Sequence, residues 1–191
     1  MNPKPQKKAA SKSASVYAPA PREDKPEKQT LSILVDNEPG VLARVIGLFS
    51  GRGYNIDSLT VAETDQNKHL SRITVVCSGT QVVIEQIISQ LERLVPVRSV
   101  RNLTSFGPHV DRELALVKVA GKDEKRVEAL RIADIFRARV VDSTIESFVF
   151  EVTGTTEKIE AFIELMRPLG LTDLSRSGVA AISRGKDVIE E

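Results

Sequence analysis

The stretch Leu31-Ser32-Ile33-Leu34-Val35-Asp36-Asn37-Glu38-Pro39-Gly40-Val41-Leu42-Ala43-Arg44-Val45-Ile46-Gly47-Leu48-Phe49, closed by Gly51-Arg52-Gly53-Tyr54-Asn55-Ile56, carries the fold. Leu31, Ile33 and Val35 alternate with Ser32, Leu34 and Asp36, the period of a short strand. Val41, Leu42, Val45, Ile46 and Phe49 then recur at helical spacing. The sequence predicts a helix that begins close to Pro39-Gly40, because proline suits a first turn where its missing N–H goes unused. Gly51 and Gly53 stop it.

The pattern continues on both sides of this unit. Residues 54–63 read as a second strand and Thr64-Asp65-Gln66-Asn67-Lys68 as a polar loop. Ile73, Val75 and Cys77 alternate in a third strand. Thr80 can cap a second helix whose face is Val83, Ile84, Ile87, Ile88, Leu91 and Leu94. Pro96 ends it, and residues 97–104 form a short fourth strand. The order strand–helix–strand–strand–helix–strand is the ferredoxin-like split βαβ arrangement. Right-handed crossovers place both helices on one face of an antiparallel sheet.

Phe106-Gly107-Pro108-His109 reads as a linker, and the pattern then repeats. Residues 113–120, 140–145, 148–152 and 171–174 are strand-like. Ala129, Ile132, Ala133 and Phe136 mark a helix over 123–137. Thr155 or Thr156 caps another, with Ile159, Phe162, Ile163 and Met166 on its face, ended by Pro168 and Gly170. The fold class is therefore α+β, with two tandem βαββαβ domains. The expected divisions are a disordered leader over 1–29, a first domain over 30–104, a linker over 105–111, a second domain over 112–186 and a tail over 187–191. Units of roughly 70 residues are near the lower limit for a stable core. Open sheet edges gain from pairing with a partner, so at least a dimer is expected.

Composition narrows the function. Of the 191 residues, 41% are apolar, and 27 Lys/Arg oppose 26 Asp/Glu, so no global field favours nucleic acid or membrane. The first 29 residues hold seven Lys/Arg and three acids, leaving a net charge of −3 for the rest. They also hold five of the nine prolines, which argues for a disordered leader over an amphipathic transit peptide. Cys77, the only cysteine, excludes an intrachain disulfide and fits a reducing, cytoplasmic setting. No apolar run spans a bilayer.

Few residues point to catalysis. His69 and His109 lack metal-ligand spacing to Cys or carboxylates. Ser177 and Ser183 have no visible base. Gly51 and Gly53 follow a helix instead of a strand, so a phosphate loop is the weaker reading. Asn102-Leu103-Thr104 matches a glycosylation acceptor without a secretory signal. Cys77 reads as core packing. Arg176, Arg184 and Lys186 fit a phosphate, a partner's acidic patch or a solvated domain end. The leader lysines have only Tyr17 among them, too little aromatic character for a nucleic-acid platform.

The first turn is the candidate binding element. The N–H groups of Gly40, Val41 and Leu42 have no partner within the helix and lie at the positive end of its dipole, where an anion gains roughly 0.3–1 kcal/mol. Asn37 and Asn55 carry donors and acceptors for a carboxylate and an ammonium. Val41, Ile46 and Ile56 can line an apolar pocket. The residues fit a site for a small zwitterion with an aliphatic side chain, although a strand-to-helix turn of Asn, Pro and Gly is usually just a turn.

Residues 30–104 resemble an ACT domain, the regulatory module of amino-acid metabolism. The run 31–49, with Arg52-Gly53-Tyr54-Asn55-Ile56-Asp57-Ser58-Leu59-Thr60-Val61, resembles the regulatory (small) subunits of acetolactate synthase, also called acetohydroxyacid synthase. Arg112-Glu113-Leu114-Ala115-Leu116-Val117-Lys118-Val119 and Arg176-Ser177-Gly178-Val179-Ala180-Ala181-Ile182-Ser183-Arg184-Gly185 are similar to that family's second domain. A generic ACT domain shares the Glu-Pro-Gly turn but not the Arg-Gly-Tyr-Asn-Ile run. The resemblance implies a homodimer through the ACT domain with effector sites at the interface, where Asn37, Gly40, Val41 and Leu42 of one chain face Asn55 and Ile56 of the other. It implies valine as effector, with leucine or isoleucine as further candidates. It implies a non-catalytic subunit, without a cofactor of its own, that activates a large catalytic subunit carrying thiamine diphosphate, magnesium and FAD and confers feedback inhibition. The leader is longer than in the shortest members, and Pro39 sits where small residues also occur. A free-standing amino-acid-sensing ACT regulator of another enzyme or of a transcription factor is the alternative.

Overall fold

Alternation along the first strand decides which side of the first sheet is dry. In the computed structural model, which describes residues 25–186, β1 (Glu27–Asp36) points Leu31, Ile33 and Val35 at two helices. These are α1 (Val41–Ser50) and α2 (Gln81–Leu91). β2 (Ile56–Asp65), β3 (Leu70–Gly79) and β4 (Val97–Asn102) complete an antiparallel sheet in the order β2-β3-β1-β4. Register sets Leu31 opposite Val75 and Ile33 opposite Ile73, and Val45, Phe49, Ile84, Ile87 and Leu91 close over them. Each such buried side chain contributes roughly 1.5–3 kcal/mol. Thr80 caps α2 as expected, its hydroxyl accepting from Val83 N–H at 3.5 Å.

The second unit repeats the plan. It comprises β5 (His109–Val119), α4 (Asp123–Ile135), β6 (Arg139–Ser143), β7 (Phe148–Gly154), α5 (Thr156–Met166), a 3-10 turn (Arg167–Leu169) and β8 (Leu171–Arg176). Its order β6-β7-β5-β8 matches that of the first sheet. Thr155, not Thr156, caps α5 by accepting from Lys158 N–H. Phe150 and Phe162 meet edge to face at 6.2 Å inside a core with Val117, Ile159 and Met166. Both units are ferredoxin-like, as the order of elements predicts.

Several elements depart from the sequence reading. β1 starts at Glu27, inside the stretch expected as leader. Backbone pairing of Lys28 and Gln29 with Ser78 and Cys77 draws these polar residues into the sheet, and Gln29 accepts from Asn102 Nδ2 at 3.0 Å. The rest of the leader, residues 1–24, and the tail 187–191 lie outside the described residues. The fourth strand stops at Asn102, because its side chain accepts from Thr104 N–H and caps a short helix, α3 (Leu103–Phe106). The nitrogen that a glycosylation acceptor would offer, Asn102 Nδ2, is the one that donates to Gln29. β5 begins at His109, inside the expected linker, and its first residues pair with an unanticipated strand, β9 (Ala180–Ser183).

β9 and the residue before it join the domains. Val179 and Ala181 pack with Val76 and Leu103 in a third apolar cluster. Val76 alternates with the core residues Val75 and Cys77, so this cluster lies on the helix-free face of the first sheet.

Candidate effector site

The β1–α1 turn is built by Gly40. It is the N-cap of α1 at φ +85°, a left-handed backbone that glycine takes without strain. Pro39 therefore lies in the turn before the helix, not in its first turn. No side chain caps α1. Chain neighbours aside, nothing lies within 4 Å of where a Gly40 Cβ would stand. Val41 N–H is engaged by the Glu38 carbonyl at 3.3 Å, so the outward donors of the first turn are those of Leu42 and Ala43. The Val41 side chain enters the core, while Leu42 packs at its margin. Asn37 is exposed, and its N–H donates to the His69 carbonyl at 2.6 Å.

The second set of residues lies where α1 has ended and β2 begins. Asn55 Nδ2 donates to Asp57 Oδ1 at 2.7 Å, and Ser78 Oγ donates to Asp57 Oδ2 at 2.7 Å. A register shift between Ile56 and Ser58 marks a bulge at Asp57, a feature that re-aims side chains. Asn55 therefore keeps its carbonyl oxygen and one amide hydrogen for other contacts. Sequence reasoning missed Asp57, a carboxylate beside Asn55 able to face an ammonium. The Asn-x-Asp spacing was its signal. Ile56 is half-buried against the core.

Within one chain the two sets do not meet. They stand at opposite ends of α1, a helix of 10 residues, about 15 Å long at its usual rise. Gly40, Asn37 and Leu42 cluster at one end, Asn55, Ile56 and Asp57 at the other.

The remaining candidates have structural roles. Burial, and secondarily Asp57, pushes the Cys77 thiol up to about 11, so it stays protonated in the core. Ser177 Oγ accepts from Leu114 N–H at 3.0 Å and donates to the Gly178 carbonyl at 2.9 Å. His109 Nδ1 lies 3.4 Å from the Gly107 carbonyl. Arg176 grips the buried Glu113 through Nε at 2.6 Å and Nη2 at 2.7 Å, and reaches Glu160 at 2.5 Å. Those carboxylates, Glu113 first, push its pKa further up. Among the described residues no three His, Cys, Asp or Glu gather as metal ligands, and no helix is long and apolar enough to cross a membrane.

Residues 31–99 match the family described as the AHAS small subunit-like ACT domain, and residues 112–185 the small subunit of acetolactate synthase. A probable acetolactate synthase small subunit of Archaeoglobus fulgidus is 48% identical over 158 residues, 83% of this chain and 98% of that protein. The chain belongs to the acetolactate synthase small-subunit family. The Aquifex aeolicus acetolactate synthase small subunit is 44% identical over 171 residues, 89% of this chain and 88% of its own. The crystal structure of the Thermotoga maritima acetolactate synthase small subunit superposes with a TM-score of 0.76 at 36% identity, covering 84% of this chain and 99% of that one. Membership in the acetolactate synthase small-subunit family supports a regulatory role and implies a large catalytic partner.

Proposed function

We propose that this chain is a non-catalytic regulatory subunit that activates the acetolactate synthase catalytic subunit and makes it sensitive to valine. Thiamine diphosphate, magnesium and FAD belong, in this reading, to the catalytic partner. The effector site forms between two copies. The valine carboxylate meets the open first turn of α1 at Gly40, Leu42 and Asn37 of one copy. Its ammonium meets Asn55 and Asp57 of the other. Its side chain lies against Leu42, Ile46 and Ile56.

The observation that carries the reading is the uncapped turn at Gly40: outward N–H donors, a positive helix end and open space coincide there. Val41 contributes fold more than contact, since its side chain is in the core and its N–H is engaged. Valine acts only through its differential affinity for two states of the complex, a coupling of typically about 1–3 kcal/mol.

Reconstitution tests this. The purified chain is mixed with the acetolactate synthase catalytic subunit of the same organism, and acetolactate formation is followed with and without valine. Stimulation that valine reverses is expected, with no activity from the chain alone. Absence of both stimulation and association refutes the assignment.

A further inference from the structure

The start of β2 is tied to the second domain by a short strap. Residues 176–179 leave β8 and cross the helix-free face of β2 before β9 begins. Val179 N–H donates to Ser58 Oγ at 2.8 Å, and Thr60 Oγ1 donates to the Ser177 carbonyl at 3.4 Å. Gly178 lies between these anchors at φ +79°. A Cβ there would stand 2.9 Å from both hydroxyl oxygens and 3.2 Å from the Leu59 carbonyl. Only glycine lets the strap lie this close.

The strap's other end is gripped by the second domain. Ser177 N–H donates to the Leu114 carbonyl at 2.9 Å, and Ser177 Oγ accepts from Leu114 N–H. Arg176 clamps Glu113 on β5 and Glu160 on α5. Toward the effector side, Ser58 follows the Asp57 bulge directly, and Asp57 holds Asn55. Beside the strap, a cleft of about 510 Å³ lies between the domains, bordered by Asp57, Glu157 and Val179. Hydrogen bonds alternating with short backbone links thus run from Asn55 to α5: Asn55 to Asp57, along the chain to Ser58, across to Val179, back along the strap to Arg176, and on to Glu160.

We propose that the strap 176–179 transmits the state of the Asn55–Asp57 end of β2 to the second domain. The inference rests on the effector reading above and adds the element through which a bound effector is felt beyond the first domain. An effector that draws on Asn55 shifts the bulge, and Ser58 and Thr60 move the strap with it.

The test uses Ser58→Ala/Thr60→Val, which removes both side-chain anchors, and Gly178→Ala, which lifts the strap. Each full-length variant is titrated calorimetrically with valine and assayed with the catalytic subunit. Amide exchange at residues 177–179 is followed in the wild type with and without valine. Expected are valine affinity within about threefold of wild type, retained stimulation and a half-inhibitory valine concentration raised at least about fivefold, the low end of typical couplings. Wild-type exchange at Val179 should change when valine binds. Unchanged exchange, or variants that bind and transmit valine like wild type, overturns the strap's role alone. A wild-type chain that binds no valine, alone or with the catalytic subunit, overturns the effector reading and the coupling with it. The exchange measurement decides even if both variants misfold.

Discussion

Gly40→Asp tests the heart of the proposed effector site, and its effects on folding and binding can be separated. The aspartate must adopt the left-handed backbone of Gly40 at φ +85°, which costs about 1–2 kcal/mol for an ordinary L residue and less for Asp. No atom crowds its Cβ, so no packing cost adds to this. Its carboxylate beside an uncapped helix start returns some of that loss. The net destabilisation should be about 1 kcal/mol, a fall of roughly 4–8 °C in the midpoint for a domain of this size. Binding responds differently. Two carboxylates about 4 Å apart repel by about 4 kcal/mol at an effective dielectric of 20, and screening at an exposed turn lowers this to about 2 kcal/mol. Valine affinity should therefore drop about 30-fold. Gly40→Ala carries the backbone strain without the charge and should keep affinity within about threefold. Calorimetric titration and thermal unfolding of both variants give all four numbers. Wild-type affinity in Gly40→Asp refutes the placement of the effector carboxylate. Equal weakening by Gly40→Ala refutes the electrostatic account.

Two further predictions concern buried groups. Arg176→Met strands the Glu113 carboxylate, whose side chain is only 4% exposed. Breaking a buried pair from one side costs about 3–5 kcal/mol, and the partial exposure of Arg176 lowers the expected loss to about 2–3 kcal/mol in urea unfolding. Adding Glu113→Gln should recover part of it, and a double variant no more stable than Arg176→Met would refute the pairing energy. The Cys77 thiol is raised from 9.0 to about 11 in the fold, so the native state holds its proton more tightly than the unfolded chain. Its contribution is intact below pH 9 and is lost as pH rises toward 11, about 2–3 kcal/mol in all. The difference in stability between wild type and Cys77→Ala, measured from pH 8 to 10.5, should shrink accordingly. A constant difference refutes the shift.

Periodicity made most of the fold legible. Leu31, Ile33 and Val35, then Val45 and Phe49, state a strand and a helix that share one core, and the same grammar returns from Val117 to Phe162. What escaped depends on partners remote in sequence. Gln29 joins a strand because Cys77 and Asn102 receive it. Leu103 turns helical because Asn102, still paired with Leu31 at the end of β4, caps the turn that follows. β9 has four residues and no local signal beyond alternation, since its register is fixed by His109 and Arg112. At the candidate site, the open turn at Gly40 was readable from its residue types, and Asn37 and Asn55 were visible as candidates. The engagement of Val41 N–H and the bulge at Asp57 were not, because each depends on backbone geometry that residue types leave open.

The separation of the two residue sets along α1 bears on how sensing would be organised. A site confined to one chain would draw its ammonium and carboxylate partners from one neighbourhood. Here the turn at Gly40 and the Asn55–Asp57 pair lie a helix length apart, so one valine cannot touch both in one copy. A two-fold pairing solves this without new residues, since it sets one end of a helix against the other end of its mate and does so twice. The proposed site then comes in equivalent pairs, and each is incomplete in a lone chain. Valine binding and self-association become linked quantities, each strengthening the other by mass action. The strap gives that linkage an outlet, because β2 carries Asn55 on one side of the bulge and the anchors Ser58 and Thr60 on the other. Ordering the first part for a ligand borne by two chains would constrain the second part, which holds the domain beyond.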